Sequence, residues 1–151
     1  MVELPEPRLV QTRYGYWAYE PKPSAETLAR YYAEKYYQQA QGSYAASYTD
    51  DETAYFRLKA RLVAAQLSRL RRPGALGTVL DVGCGEGWFL DLFHKNALRV
   101  RGFDFSSFGL GKFHPHLQPF FEQGDVHALL RGIPPQERWD VIILANVIEH
   151  V

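Results

Sequence analysis

The sequence predicts an α/β protein, with a doubly wound parallel sheet in its C-terminal half and a helical, tyrosine-rich extension ahead of it. Three observations predict this. From residue 77 onward, short apolar runs alternate with amphipathic stretches, the pattern of parallel strands joined by crossover helices. The first of those runs ends in Gly83-Cys84-Gly85-Glu86-Gly87, a glycine turn that opens into a helix. Nine of the ten tyrosines fall between Tyr14 and Tyr48, and the tenth is Tyr55, so composition changes sharply along the chain. The expected division is an N-terminal arm with helices over 1–75 and a cofactor half-domain over 76–151.

Residues 1–23 contain Pro5, Pro7, Pro21 and Pro23 and no periodicity, which predicts an irregular arm; within it, Tyr14–Tyr19 is either a short strand or an aromatic loop. Ser24 can cap a helix, and Leu28, Tyr32 and Tyr36 then share one face at helical spacing, up to the break at Gly42-Ser43. Thr49-Asp50-Asp51-Glu52 has the form of a capping box. The helix that follows puts Phe56, Val63, Leu67 and Leu70 on one face, with Tyr55, Leu58 and Leu62 beside it. Arg69, Arg71 and Arg72 suit its C-terminal dipole, and Pro73-Gly74 stops it. Beyond it the expected elements are strands over 78–82, 98–103, 119–122 and 140–144, with helices over 86–95 and 106–113. The last strand is continuously apolar, as a parallel strand buried on both faces should be.

Composition narrows the function classes. Lys+Arg and Asp+Glu are both 17, so no global field draws the chain to nucleic acid or an anionic membrane. No apolar stretch is long enough for a bilayer, and no signal-peptide pattern opens the chain. A single cysteine, Cys84, cannot form a disulfide within the chain and points to a reducing compartment. The expectation is a cytoplasmic protein acting on a small molecule, with no membrane or polynucleotide partner; a homodimer is compatible with it.

The glycine turn carries the chemistry. Glycines remove Cβ atoms, so the backbone can turn sharply and approach a ligand, and the following helix offers unpaired amides. An acid at the end of the next strand, Asp104, can accept hydrogen bonds from both ribose hydroxyls. A dinucleotide fingerprint needs a glycine at position 88, where this chain has Trp88. The chain also has Asp81 just inside the strand, which would repel a pyrophosphate and favour a cationic ligand.

Asp81-Val82-Gly83-Cys84-Gly85-Glu86-Gly87 resembles the first motif of class I methyltransferases that use S-adenosylmethionine (SAM). Gly102-Phe103-Asp104-Phe105-Ser106 resembles their second-strand motif, Gly124-Asp125-Val126 their adenine turn, and residues 139–151 their fourth strand and the turn after it. The resemblance implies a Rossmann-like sheet with strand order 3-2-1-4 and SAM as cofactor. By position it implies that Gly83, Cys84, Gly85 and Gly87 line the methionine end, with Asp81 near the ammonium. Asp104 would hold the ribose, Phe105 lie on the adenine, Asp125 and the Val126 backbone meet its edge, and Asn146 sit beside the methyl group. Family members continue through three more strands, so the resemblance also leads us to expect a chain truncated after its fourth strand, with weak or no turnover alone.

Glu149 and His150 fall where some relatives hold a divalent metal through Glu-x-x-Glu-His. Asn146 replaces the first acid here, and a hard cation prefers more carboxylate oxygens, so no metal is expected, with a metal on Glu149 and His150 kept as the minor alternative. The candidate catalytic pair is His150 as general base with Glu149; the plainer reading, ranked first, is that Glu149 caps or packs and His150 shapes the pocket. Cys84 has no activating neighbour in sequence, and His114-Pro115-His116 reads as a surface turn. Two rivals stand beside a methyltransferase: a SAM-binding regulatory domain and, disfavoured by Trp88, a nicotinamide oxidoreductase.

Overall fold

A computed structural model describes residues 6, 8–31, 34, 47–69 and 77–147. The chain opens on an antiparallel ribbon of β1 (Arg8–Gln11) and β2 (Trp17–Glu20), followed by the short helix α1 (Ala25–Tyr31) and the long helix α2 (Asp50–Arg69). Then come β3 (Thr78–Val82), α3 (Trp88–Lys95), β4 (Arg99–Asp104), α4 (Phe108–Phe113), a 3-10 turn (Pro115–Phe120), β5 (Phe121–Gln123), α5 (Val126–Gly132) and β6 (Val141–Ile143).

The ribbon corrects the expected irregular arm, while β2 agrees with the strand alternative for Tyr14–Tyr19. Leu9, Val10, Trp17 and Tyr19 favour extended backbone, and Gly15 at φ 88° supplies the turn, where Gly15 N–H donates to the Thr12 carbonyl. Leu9, Trp17 and Tyr19 are all exposed, so the ribbon buries little and lacks the alternation by which a strand is read from sequence. Ser24 does cap α1, with Thr27 N–H donating to its Oγ at 3.1 Å. Tyr32 and Tyr36, and the residues expected to end α2 beyond Arg69, lie outside the described residues.

The capping box at α2 is present in full. Thr49 N–H and Oγ–H both donate to Glu52 Oε2, and Glu52 N–H donates back to Thr49 Oγ1. Helix α2 faces the sheet domain through buried Ala60 and half-buried Ala64 and Leu67, which pack near α3. Tyr55, Leu58 and Leu62 point to solvent, so the apolar stripe is narrower than its flanking residues suggested.

The four parallel strands lie in the order β5-β4-β3-β6, which is the 3-2-1-4 order expected. Val79, Leu90, Phe93, Val100, Leu110 and Leu117 fill one side of the sheet; Leu80, Val82, Phe103 and Val126 fill the other. Asp140 stitches the sheet at its N-terminal end, its Oδ2 accepting from Gly77 N–H, Thr78 N–H and Thr78 Oγ1 at 2.8–3.0 Å. Two expectations change. Helix α5 forms over residues that had no predicted element, started by Asp125, whose Oδ1 accepts from Ala128 N–H at 2.7 Å. Strand β6 is buried on one face only: Val141 and Ile143 turn inward while Ile142 is 55% exposed.

Candidate cofactor site

The site lies at the C-terminal ends of β3 and β4, where ligands bind in open α/β sheets. Beyond β3 the chain bends back through three left-handed glycines, Gly83 (φ 72°), Gly85 (φ 54°) and Gly87 (φ 83°). At Gly83 even a methyl group is excluded, since a Cβ there would lie 2.3 Å from Val147 Cγ2, in the turn after β6. The loop hangs from the end of β4: Gly83 N–H and Cys84 N–H both donate to the Phe103 carbonyl, at 2.7 and 3.0 Å. Gly87 N–H closes it onto the Cys84 carbonyl at 2.9 Å, and Gly87 then starts α3.

Two buried carboxylates sit beneath this loop. Asp104 Oδ2 accepts from Gly85 N–H at 2.9 Å and its Oδ1 from Ser106 N–H at 3.0 Å. Burial raises its pKa, against the lowering effect of those amides. Each oxygen keeps lone-pair capacity for a further donor. Asp81 is more extreme. It is 2% exposed, its Oδ2 has no hydrogen-bond partner, and burial followed by the charge of Asp104 pushes its pKa up to about 7. A buried acceptor without a donor is costly, so this arrangement suits a ligand that brings a donor and positive charge.

The other expected site residues divide by what their side chains do. Cys84 is buried in the cluster with Val79, Leu90 and Phe93; burial and the nearby Asp81 and Asp104 push its thiol pKa up. Val126 also packs inward, on Leu80, Val82 and Phe103. Phe105 is half-buried at the edge of the same cluster, and Gln123 Nε2 donates to its carbonyl. Asp125 caps α5. Asn146 is exposed and left-handed at φ 57°, an uncommon conformation outside glycine for which asparagine is suited. Glu149 and His150 lie outside the described residues. Among the described residues, no group of three or more His, Cys, Asp or Glu side chains could hold a metal, and no helix is long and apolar enough to cross a membrane.

Sequence reasoning missed the polar supports behind the loop. His114, expected on a surface turn, is buried, and its Nδ1–H donates to the Glu86 carbonyl at 2.6 Å; burial lowers its pKa. His116 and Lys95 both bond the buried Asp91, at 2.9 and 2.6 Å. Glu86 is buried too, its carboxylate accepting from Tyr48 Oη–H at 2.6 Å and Trp88 Nε1–H at 2.7 Å. No local signal exposes such contacts, because Tyr48 and His114 stand 38 and 28 residues from Glu86.

Sheet order, glycine loop and strand-end acids define the class, a Rossmann-like cofactor domain. Residues 49–151 match the family described as methyltransferase domain, which is more than half of the chain, and the chain belongs to that family. Membership in that family supports SAM as the cofactor. The chain is 31% identical over 74 residues to a ubiquinone biosynthesis O-methyltransferase of Rhodopseudomonas palustris, covering 48% of this chain and 29% of that protein. It is 37% identical over 82 residues to a tRNA U34 carboxymethyltransferase of Shewanella denitrificans, covering 52% of this chain and 25% of the relative. Among solved structures it is similar to a SAM-bound amino pentose methyltransferase from Micromonospora echinaspora, at 26% identity and a TM-score of 0.42, over 66% of this chain and 42% of that one. The chain thus spans under a third of the length of the curated relatives it matches.

Proposed function

We propose that this chain is the cofactor-binding part of a SAM-dependent methyltransferase whose acceptor is a small molecule. The observation that carries the reading is the pair of buried acids under the glycine loop, with Asp81 Oδ2 lacking a donor. Such a floor attracts an ammonium and a sulfonium and repels a pyrophosphate. In this reading Asp81 faces the ammonium, and Gly83, Gly85 and Gly87 let the backbone approach the methionine end. Asp104 accepts from the ribose hydroxyls while its bond to Gly85 keeps the loop in place. Phe105, Asp125 and the Val126 backbone flank the adenine, and the left-handed turn at Asn146 lies beside the transferring group.

When bound, SAM supplies an already activated methyl group, so the protein's contribution is chiefly alignment and exclusion of water. A general base is needed only for a hydroxyl or carbon acceptor, a role for which His150, with Glu149, is the candidate. The names of the two curated relatives point to different acceptors, ubiquinone biosynthesis and tRNA U34. The zero net charge favours a small metabolite, such as a sugar or quinone precursor, over RNA, since sequence-independent RNA affinity comes mainly from basic charge.

Calorimetry with SAM, S-adenosylhomocysteine and NAD, on the wild type and on Asp104→Ala, tests the cofactor reading. SAM and S-adenosylhomocysteine should bind the wild type and lose affinity in the variant, and NAD should not bind. Binding of NAD without SAM would overturn the reading. SAM binding without methylation of any member of a broad acceptor panel would favour a regulatory domain instead.

A further inference from the structure

We infer that the Tyr48–Glu86 hydrogen bond is a positioning contact, through which the segment ahead of α2 holds the glycine loop in its cofactor-binding shape. The inference rests on the cofactor reading above for its ligand, and on geometry for its mechanism. Between Gly85 and Gly87, both left-handed, Glu86 is the one residue with a side chain. Glycine backbone is otherwise free to sample many conformations, so holding Glu86 adds to the bonds from Gly85 N–H to Asp104 and from Gly87 N–H to the Cys84 carbonyl in fixing this stretch.

Glu86 is held from three directions. Tyr48 Oη–H donates to Oε1 at 2.6 Å, Trp88 Nε1–H to Oε2 at 2.7 Å, and His114 Nδ1–H to the carbonyl at 2.6 Å. Glu86 is 4% exposed, and a carboxylate removed from water needs such donors to stay. Trp88 is next but one in the chain, at the start of α3. Tyr48 is 38 residues away, and its contact ties a separate element to the loop.

Tyr48 is well placed for this. It immediately precedes the Thr49–Glu52 capping box, which fixes the direction in which the chain enters α2. Its ring packs against Phe56, with centroids 4.9 Å apart, and against Phe113 at 5.1 Å. A phenylalanine at position 48 would keep these ring contacts and lose only the hydroxyl.

The test is Tyr48→Phe, read by amide hydrogen exchange in the free protein and by the Kd for S-adenosylhomocysteine. Exchange at Gly85 and Gly87 should accelerate about tenfold while Leu80 within β3 is unchanged, and S-adenosylhomocysteine should bind about tenfold more weakly. In a Glu86→Ala background, Tyr48→Phe should add nothing further. Unchanged loop exchange, acceleration shared equally by Leu80, or effects that simply add would overturn the inference. If the wild type bound no S-adenosylhomocysteine, the cofactor reading would fail, and the exchange measurements in the free protein would still decide the positioning role.

Discussion

Gly102 lies inside β4, where no turn requires a glycine, yet the packing around it leaves no room for another residue. A Cβ built there lies 2.5 Å from Leu90 Cδ1 and 2.9 Å from Cys84 Sγ. Neither neighbour can retreat easily, since Leu90 is fully buried and Cys84 nearly so, both packed in the same cluster. Gly102→Ala therefore overpacks the layer between α3 and the sheet. A single methyl forced into a filled core costs about 2 kcal/mol, which for a domain of this size lowers Tm by about 4–8 °C. Cys84 also carries the glycine loop, so cofactor affinity should fall with stability. Denaturant titration of wild type, Gly102→Ala, Leu90→Val and the double variant provides the assay. Leu90→Val removes the offending methyl groups at a cost of about 1 kcal/mol, and in that background Gly102→Ala should be less damaging than in the wild type. An unchanged midpoint for Gly102→Ala, or a double variant whose loss is the plain sum, refutes the steric account.

Three other outcomes follow from the same geometry. Asp81 has a folded pKa near 7, above the unfolded value of 3.8, so the folded state binds the extra proton and stability should decline as pH rises from about 4 to about 7. Asp81→Asn should remove that decline, on the order of 4 kcal/mol across the window, as read by denaturation midpoints at several pH values; an identical pH profile would argue against it. Asp104→Asn leaves one carbonyl oxygen where two carboxylate oxygens accept from Gly85 and Ser106, so it should cost about 1–3 kcal/mol and weaken SAM binding in calorimetry. Asp140→Ala removes the acceptor shared by the exposed Gly77 and Thr78 donors at the start of β3 and should cost about 1 kcal/mol in thermal melts, with little change in SAM affinity measured at a temperature where the variant is folded.

The sheet was legible because its signals are local. Thr78–Val82 is a short apolar run that ends in glycine, and it forms β3 over those same residues. The α2 capping box is a four-residue pattern whose partners are its own neighbours. Strand order was legible through motif resemblance alone, since hydrophobic runs carry no information about which strand lies beside which. Three kinds of feature were not legible. The β1–β2 ribbon has exposed apolar side chains on short strands and so gives no period-two signal. Helix α5 is seven residues long, and His127 and Arg131 dilute its apolar pattern. His114 looks like a turn residue in sequence because its partner, the Glu86 carbonyl, belongs to a loop brought near by α3.

The buried position of Cys84 has a practical consequence. It is the only cysteine in the chain, and its thiol is both shielded and held protonated in the closed loop. A thiol reagent can therefore react only during excursions that lift the loop from its packing against Leu90 and Phe93. With no other thiol to contribute background, the labelling rate becomes a clock for loop opening, read as the labelled fraction by intact mass. Ligands that settle on the loop should slow that clock in proportion to their occupancy, so even candidates without a chromophore or a measurable heat of binding could be ranked by it.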